Sequence, residues 1–172
     1  MAGIPNPFGG QDVRFDGYDE FVPEHLPEPD AFLRGGTILA GRRHAAFHRV
    51  TRACFEERGV YDATFGYNLA RLNLDPRHPE AGYRYAEESP DVLRATFTPT
   101  TPFCPQTHTL TLGSFRAWNG LAERHEYDLV RVRAAESHNE SERINDALAD
   151  LEEEYRETGE LPDSAPDFGH RA

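Results

Sequence analysis

The clearest periodic segment runs from residue 92 to residue 98, where every second side chain is apolar: Leu93, Ala95 and Phe97. A period of two residues is typical of a β-strand with one buried face. Residues 83–86 form a second short run, which the acidic segment 87–91 separates from the first. The two runs predict a β-hairpin.

A third strand is predicted over residues 127–134. Val130 and Val132 alternate there with Arg131 and Arg133. We expect the valines to face the core and the arginines to be solvated charges on the opposite face.

Three helices are predicted from apolar residues spaced three and four apart. The first covers residues 43–58 and the second covers residues 105–119, and each is followed by a glycine, which is typical of a helix end. The third carries an apolar stripe formed by Ile144, Leu148, Leu151 and Tyr155.

The order helix, strand, strand, helix, strand, helix predicts an α+β fold. We expect two layers, in which helices cover one face of a small, mostly antiparallel three-stranded sheet. The domain is expected to span residues 37–158, between an extended Pro/Gly-rich acidic N-terminal arm (1–36) and a polar C-terminal tail (159–172). Because the arm contains aromatic residues, it is a candidate cover for the second face of the sheet.

The charge of the chain is strongly acidic. Its 172 residues include 30 acidic and 18 basic residues, all of the basic ones are arginine, and the formal net charge is -12. An acidic, lysine-free chain predicts halophilic adaptation to a salt-rich cytoplasm, since the Debye length shrinks to about 3 Å at molar salt. The same charge argues against a nucleic-acid partner, because no basic stripe is available to bind phosphates.

The hydropathy pattern indicates a cytoplasmic protein with no membrane partner. No apolar run approaches the about 20 residues that a membrane-spanning helix needs, and no secretory signal is visible at the N terminus. In that compartment the two cysteines, Cys54 and Cys104, are expected to be free thiols. Cys54 lies on the apolar side of the first predicted helix, which favours a core position.

Cys104 lies between the strand that ends near residue 98 and the helix predicted over residues 105–119. Pro102 disfavours helix at the residue before it, and Pro105 suits a first helical position. The thiol would then lie near a helix N-terminus, where unpaired amides and the helix dipole favour an anion. We therefore predict a reactive Cys104 with a pKa below that of a free cysteine. The alternative is a packed core cysteine.

Four segments resemble one known family. They are the turn Thr98-Pro99-Thr100-Thr101-Pro102-Phe103-Cys104, the strand at 127–134, the turn Glu136-Ser137-His138, and Ile144-Asn145-Asp146-Ala147-Leu148. In order and spacing they resemble the small iron–sulfur cluster assembly domain of the PaaD and SufT type, which includes the eukaryotic cytosolic iron–sulfur targeting factor. The resemblance covers roughly residues 50–155. It departs from the family at residues 60–65, where only Asp62 matches the usual Asp-Pro-Glu turn, and at the acidic segment 150–155.

The resemblance implies a factor that assembles or delivers iron–sulfur clusters, rather than an enzyme with turnover. A stably held cluster ordinarily needs four protein ligands, usually cysteines, and this chain has two cysteines. We therefore expect Cys104 to ligate a cluster transiently or to share it between chains. The expected partners are client apoproteins, other iron–sulfur assembly proteins, or a second copy in a homodimer.

Two histidines are candidate further metal ligands. His108 follows Cys104 by four residues, which would place both on one helix face, and cysteine with histidine can share a metal. The alternative for His108 is an exposed polar side chain. His138 matches the family's turn histidine, and a role in stabilising its turn is equally compatible with the sequence.

Five further residues are candidate supporting groups. Thr98, Thr100 and Thr101 are placed to donate hydrogen bonds to the sulfur or its cluster, or simply to close the turn. Asp62 and Asn145 are carried over from the resemblance, and a surface aspartate is the alternative for Asp62.

Two other function classes remain open. The first is a hydrolase or transferase that uses Cys104 as nucleophile and His108 or His138 as base. The second is an adaptor that binds a client through its acidic arm and helices without chemistry.

Overall fold

A computed structural model describes residues 26–75 and 77–161 of the chain. Within these residues the helices are α1 Ala31–Arg34, α2 Gly41–Arg58, α3 Thr107–Gly120 and α4 Ser141–Thr158. The strands are β1 Thr37–Ile38, β2 Tyr61–Asp62, β3 Tyr67–Asn68, β4 Gly82–Ser89, β5 Val92–Thr98 and β6 Leu129–Ala134. Two short 3-10 helices cover Leu69–Leu74 and Ala122–Arg124.

The main sheet has the strand order β1-β4-β5-β6. The pairs β1–β4 and β4–β5 are antiparallel, whereas β5–β6 is parallel because α3 forms the crossover between them. Strands β2 and β3 form a separate hairpin. The predicted α+β class and its three strands are confirmed, but the sheet has four strands, because the two-residue strand β1 joins its edge.

One face of the sheet and the helices α2 and α3 enclose the core. The alternation predicted for β5 is confirmed, since Leu93, Ala95 and Phe97 are buried against the helices. Trp118 of α3 is fully buried, and its ring centroid lies 5.0 Å from that of Phe55 and 4.9 Å from that of Tyr83. Burial of such side chains stabilises the fold by about 2 kcal/mol each.

The opposite face of the sheet carries arginines that are not solvated. The Phe32 ring of α1 lies 5.1 Å, 5.2 Å and 4.9 Å from the guanidinium carbons of Arg94, Arg131 and Arg133. Arg131 and Arg133 donate to the buried Glu152 carboxylate of α4 at 3.0 Å and 2.9 Å. The prediction of solvated charges at Arg131 and Arg133 is therefore wrong, because α1 and Glu152 cover this face.

The last part of the predicted arm, residues 26–36, lies on this same face. Arg84 donates to the Pro27 carbonyl at 2.8 Å, and Arg94 donates to the Phe32 carbonyl at 2.6 Å. This part of the arm therefore covers the sheet, as its aromatic content suggested. The arm's residues 1–25 and the tail's residues 162–172 lie outside the described residues.

Asparagine side chains pair with backbone groups of β4, beyond the end of the short strand β1, and of the edge strand β6. Asn73 donates to the Tyr83 carbonyl and accepts from its amide, both at 2.8 Å. Asn119 pairs with the carbonyl and amide of Val130 at 3.0 Å and 2.9 Å. Gly82 has φ 117°, and a Cβ there would collide with the Asn73 carboxamide. These contacts satisfy edge groups that are otherwise open to another strand.

A polar layer lies between α2 and the sheet. His48 Nε2 donates to the Ala70 carbonyl at 2.7 Å, and its Nδ1 lies 2.5 Å from the Tyr85 hydroxyl. Thr51 Oγ1 lies 2.9 Å from that hydroxyl and accepts from Trp118 Nε1 at 3.2 Å. All of these groups are buried, so the layer requires a neutral His48 with its proton on Nε2.

Candidate functional site

The parallel pairing of β5 and β6 brings two distant turns together. Parallel strands end at the same edge of a sheet, and the register pairs Phe97 with Ala134, next to a hydrogen bond from the Ala135 amide to the Phe97 carbonyl at 2.8 Å. The turn after β5 contains Cys104, and the turn after β6 contains His138. These two turns form the candidate site.

Hydrogen bonds within the turn hold Cys104 in place. The Cys104 amide donates to the Thr101 carbonyl at 3.3 Å, and the Phe103 amide donates to Thr101 Oγ1 at 3.2 Å. The thiol is free, and the residue is half-buried. Thr101 therefore closes the turn with its hydroxyl, which was one of the two roles expected for it.

Helix α3 begins at Thr107, two residues later than predicted, with Gln106 at its N-cap. The Gln106 side chain does not cap the helix. It binds the loop after β2, where its Oε1 accepts from the Ala63 amide and its Nε2 donates to Thr64 Oγ1, both at 2.8 Å. Cys104 thus lies outside the helix. Its own amide and that of Thr107 donate to backbone carbonyls, so they do not face the sulfur as the N-cap prediction required.

His138 contacts the cysteine turn directly. Its Nε2 donates to the Cys104 carbonyl at 2.9 Å, and its Nδ1 accepts from the Glu140 amide at 3.0 Å. The adjacent Asn139 amide donates to the Pro102 carbonyl at 2.9 Å. Both ring nitrogens of His138 are therefore engaged with backbone groups, which favours the turn-stabilising role over the ligand role expected as its alternative.

A cavity of about 220 Å³ opens between the two turns and is also lined by His108, Glu140, Arg143 and Ile144. Arg143 Nη1 lies 3.3 Å from His108 Nδ1, and Arg143 Nε donates to Glu140 at 3.1 Å. Burial, and secondly the Arg143 charge, lowers the pKa of His108 to about 4. His108 and Cys104 share this cavity rather than the helix face predicted from their spacing, because Cys104 precedes the helix.

Asp62 lies beside the start of α3 rather than at the thiol. It is buried, and its Oδ1 accepts from the amides of Thr64 and Phe65 at 2.7 Å and 2.9 Å. The surface position considered for Asp62 is therefore wrong, because its carboxylate closes the β2–β3 loop that Gln106 contacts.

The remaining candidates occupy structural positions. Thr98 is the last residue of β5 and pairs with Gly82, and Thr100 is half-buried at the start of the turn. Asn145 accepts from the Ala134 amide at 2.7 Å and donates to its carbonyl at 3.0 Å, so it pairs with the end of β6. Cys54 is fully buried, as predicted, and burial raises the pKa of its thiol to about 11.

Across residues 26–75 and 77–161, no three His, Cys, Asp or Glu side chains are grouped closely enough to hold a metal ion. At the site itself, the sulfur of Cys104 is a donor atom suited to a thiophilic metal, and the His108 ring lines the same cavity with its Nδ1 3.3 Å from Arg143 Nη1. In the same part of the chain, no helix is long and apolar enough to cross a bilayer.

The model of a family described as a domain of unknown function, DUF7998, matches residues 13–162. The chain belongs to the DUF7998 family. No curated protein and no solved structure matches the chain. The family description names no chemistry, so the resemblance of the cysteine turn to iron–sulfur assembly domains stays a prediction for this DUF7998 domain.

Three side chains of the candidate site were not selected from the sequence. Glu140, at the N-cap of α4, and Arg143, in its first turn, line the cavity, and their spacing of three residues was a signal for an ion pair. Phe103 is 71% exposed beside Cys104. An exposed phenylalanine next to a cysteine has no periodic signature, so the pattern of the sequence gave no reason to select it.

Proposed function

We propose that this DUF7998 protein is an iron–sulfur cluster assembly or delivery factor whose Cys104 is a transient ligand of the cluster. The observation that carries the proposal is the position of Cys104. It is a half-buried free thiol beside a surface cavity, in a turn that hydrogen bonds hold against a second turn. The resemblance of the cysteine turn supplies the chemical class of the cargo.

The donor set of the site suits temporary rather than permanent ligation. A cluster ordinarily takes four protein ligands. Here Cys104 offers its sulfur beside the cavity, and His108 would be a second ligand only after its ring leaves Arg143. The remaining ligands would come from a client apoprotein, another assembly protein or a second copy of the chain. A cluster held by few ligands is also released more readily, which a delivery factor requires.

Arg143 balances the negative charge of Glu140 at the cavity. A thiolate-bound cluster carries net negative charge, and the Arg143 guanidinium lies at the rim of the cavity beside His108 and Glu140. The formal net charge of the chain is -12, but Arg143 balances the Glu140 carboxylate here, so this ion pair adds no net repulsion toward an anionic cargo. We place the activity in a salt-rich cytoplasm, where screening weakens the repulsion by the rest of the chain.

Neither histidine considered as the base of a hydrolase or transferase is well suited to that role. Both His138 nitrogens are engaged with backbone groups, and the pKa of His108 is lowered to about 4 by burial and by Arg143. A general base is most effective when its pKa lies near the working pH. His108 is therefore poorly matched to deprotonating a thiol at neutral pH.

The adaptor alternative has one observation in its favour. Phe103, exposed at 71%, would suit a hydrophobic contact with a client. If the protein is an adaptor without chemistry, Phe103→Ser abolishes client binding while Cys104→Ser leaves client maturation intact. A delivery factor requires Cys104 in every case.

The proposal predicts a cellular phenotype. In source cells deleted for the protein, we expect one or more iron–sulfur enzymes to lose activity several-fold. Reintroducing the wild-type protein should restore the activity, whereas reintroducing Cys104→Ala should not. The matched control is Cys54→Ala, which removes the buried thiol and should restore activity if the protein accumulates normally. Full rescue by Cys104→Ala at equal protein level would refute the proposed role.

A further inference from the structure

Two histidines of this chain make the same pair of backbone contacts at different places. His138 Nδ1 accepts from the amide two residues later, and its Nε2 donates to the distant Cys104 carbonyl. His125 Nδ1 likewise accepts from the Tyr127 amide at 3.2 Å, and its Nε2 lies 2.9 Å from the Trp118 carbonyl. In each case the rigid ring joins its own turn to a separate segment.

At the candidate site this ring makes one of two hydrogen bonds that join the turns among the described residues. The second link is the Asn139 amide, which donates to the Pro102 carbonyl at 2.9 Å. The Cys104 carbonyl also accepts from the Thr107 amide, but at the longer distance of 3.4 Å. His138 is 6% exposed, so water cannot readily replace its hydrogen bonds, and an unpaired buried polar group is costly.

We infer that His138 is a positioning residue, which fixes the Cys104 turn against the turn after β6 and thereby sets where the thiol lies in the cavity. Its significance for cluster transfer rests on the proposed function, but its action on the turn does not. The residue contributes no ligand, since the Nε2–H donor and the Nδ1 acceptor are both used. Loss of the Nε2 donor leaves the Asn139–Pro102 hydrogen bond to hold the two turns together, so segment 102–104 separates from residues 138–140 more often.

Substitution of His138 by glutamine or asparagine can retain one of its two hydrogen bonds and remove the other. Glutamine carries a donor at the position of Nε2, and asparagine carries an acceptor at the position of Nδ1. His138→Gln should therefore keep the bond to the Cys104 carbonyl, His138→Asn should keep only the bond to the Glu140 amide, and His138→Leu should keep neither. His125→Leu is the matched control, because it removes the same pair of contacts far from Cys104.

The test uses the full chain without iron and two readouts at one neutral pH. These are the rate constant for alkylation of Cys104, measured in a Cys54→Ala background, and the hydrogen-exchange rate of the Asn139 amide. A hydrogen bond of about 1 kcal/mol corresponds to a rate change of about five-fold. We expect both rates to rise by about that factor in His138→Leu and His138→Asn, to return toward wild type in His138→Gln, and to stay unchanged in His125→Leu.

Equal rates in wild type and His138→Asn would overturn the inference, and so would a His138→Gln variant that behaves like His138→Asn. If His138→Leu fails to fold, the comparison between Asn and Gln still decides the question. Because no cluster is present, the result is independent of cargo. A positive outcome here combined with full rescue by Cys104→Ala in cells would retain the positioning role and reject the iron–sulfur role.

Discussion

We expect Glu152→Ala to lower the free energy of unfolding by about 3 kcal/mol, since removing one partner of a buried ion pair leaves the other charge uncompensated. Glu152 accepts from Arg131 and Arg133, and the side chains of these arginines are only 19% and 13% exposed. Burial already lowers the pKa of Arg133 from its ordinary value, and Glu152 opposes that shift. Without Glu152, Arg133 keeps a hydrogen bond to the Val132 carbonyl but no carboxylate among its described contacts.

Chemical denaturation of the wild type, Glu152→Ala and Glu153→Ala measures this change in the free energy of unfolding. Glu153→Ala is the matched control, because Glu153 is exposed on the same helix, and a surface substitution of this kind usually changes stability by less than about 0.5 kcal/mol. If Glu152→Ala unfolds at the same denaturant concentration as Glu153→Ala, the ion pairs on the second face of the sheet contribute nothing, and our description of that face is wrong.

We expect the second large effect on acidification, when the protein should lose stability as the pH falls from about 6.5 to about 4. Burial lowers the pKa of His48 from 6.5 to about 4, and burial together with His48 and Arg84 lowers the pKa of His44. The folded state therefore keeps these rings neutral in a range where the unfolded chain binds protons. Stability rises with pH wherever the unfolded state binds more protons, so this contribution is present above pH 6.5 and is lost toward pH 4. At about 1.4 kcal/mol per pKa unit, His48 alone contributes about 3 kcal/mol.

Unfolding free energies at several pH values between 4 and 7 test this prediction. His48→Gln should flatten the dependence on pH, even though it also removes hydrogen bonds and lowers stability at pH 7. Thr51→Val is the control, because it disturbs the same polar layer without removing a titratable group, and it should keep the wild-type slope. An unchanged slope in His48→Gln would show that other groups determine the response to acid.

Strong local periodicity explains which elements could be predicted. Strand β5 was predicted over residues 92–98 and occupies Val92–Thr98, because alternation over seven residues has one simple interpretation. The helix carrying the stripe of Ile144 and Leu148 was likewise predicted. The hairpin of β2 and β3 was missed, since strands of two residues are too short to show a period.

The sequence predicted which side of the sheet each residue of β6 occupies, but not which residues pack over that side. Alternation correctly placed Arg131 and Arg133 opposite the core. It could not show that Phe32 and Glu152, from remote parts of the chain, cover that face. Solvation was assigned from residue type alone, and tertiary contacts overrode it.

The meeting of Cys104 and His138 required knowledge of the strand pairing. The two residues are 34 positions apart, and only the parallel arrangement of β5 and β6 places their turns at one edge of the sheet. The helix start near Cys104 was misplaced because Pro105 suits a first helical position in isolation. In the fold Gln106 binds the β2–β3 loop, and the helix starts after it.

Anaerobic reconstitution tests the central claim most directly. The purified protein is incubated with ferric iron, sulfide and a small dithiol that supplies the missing ligands and reduces part of the iron, and the iron-dependent visible absorbance of the protein fraction is recorded. We predict that the wild type and Cys54→Ala both acquire this absorbance, that Cys104→Ser does not, and that a cluster-free acceptor protein removes it. Equal absorbance in Cys104→Ser and the wild type, or no iron-dependent absorbance in the wild type, would contradict the assignment of Cys104 as a cluster ligand.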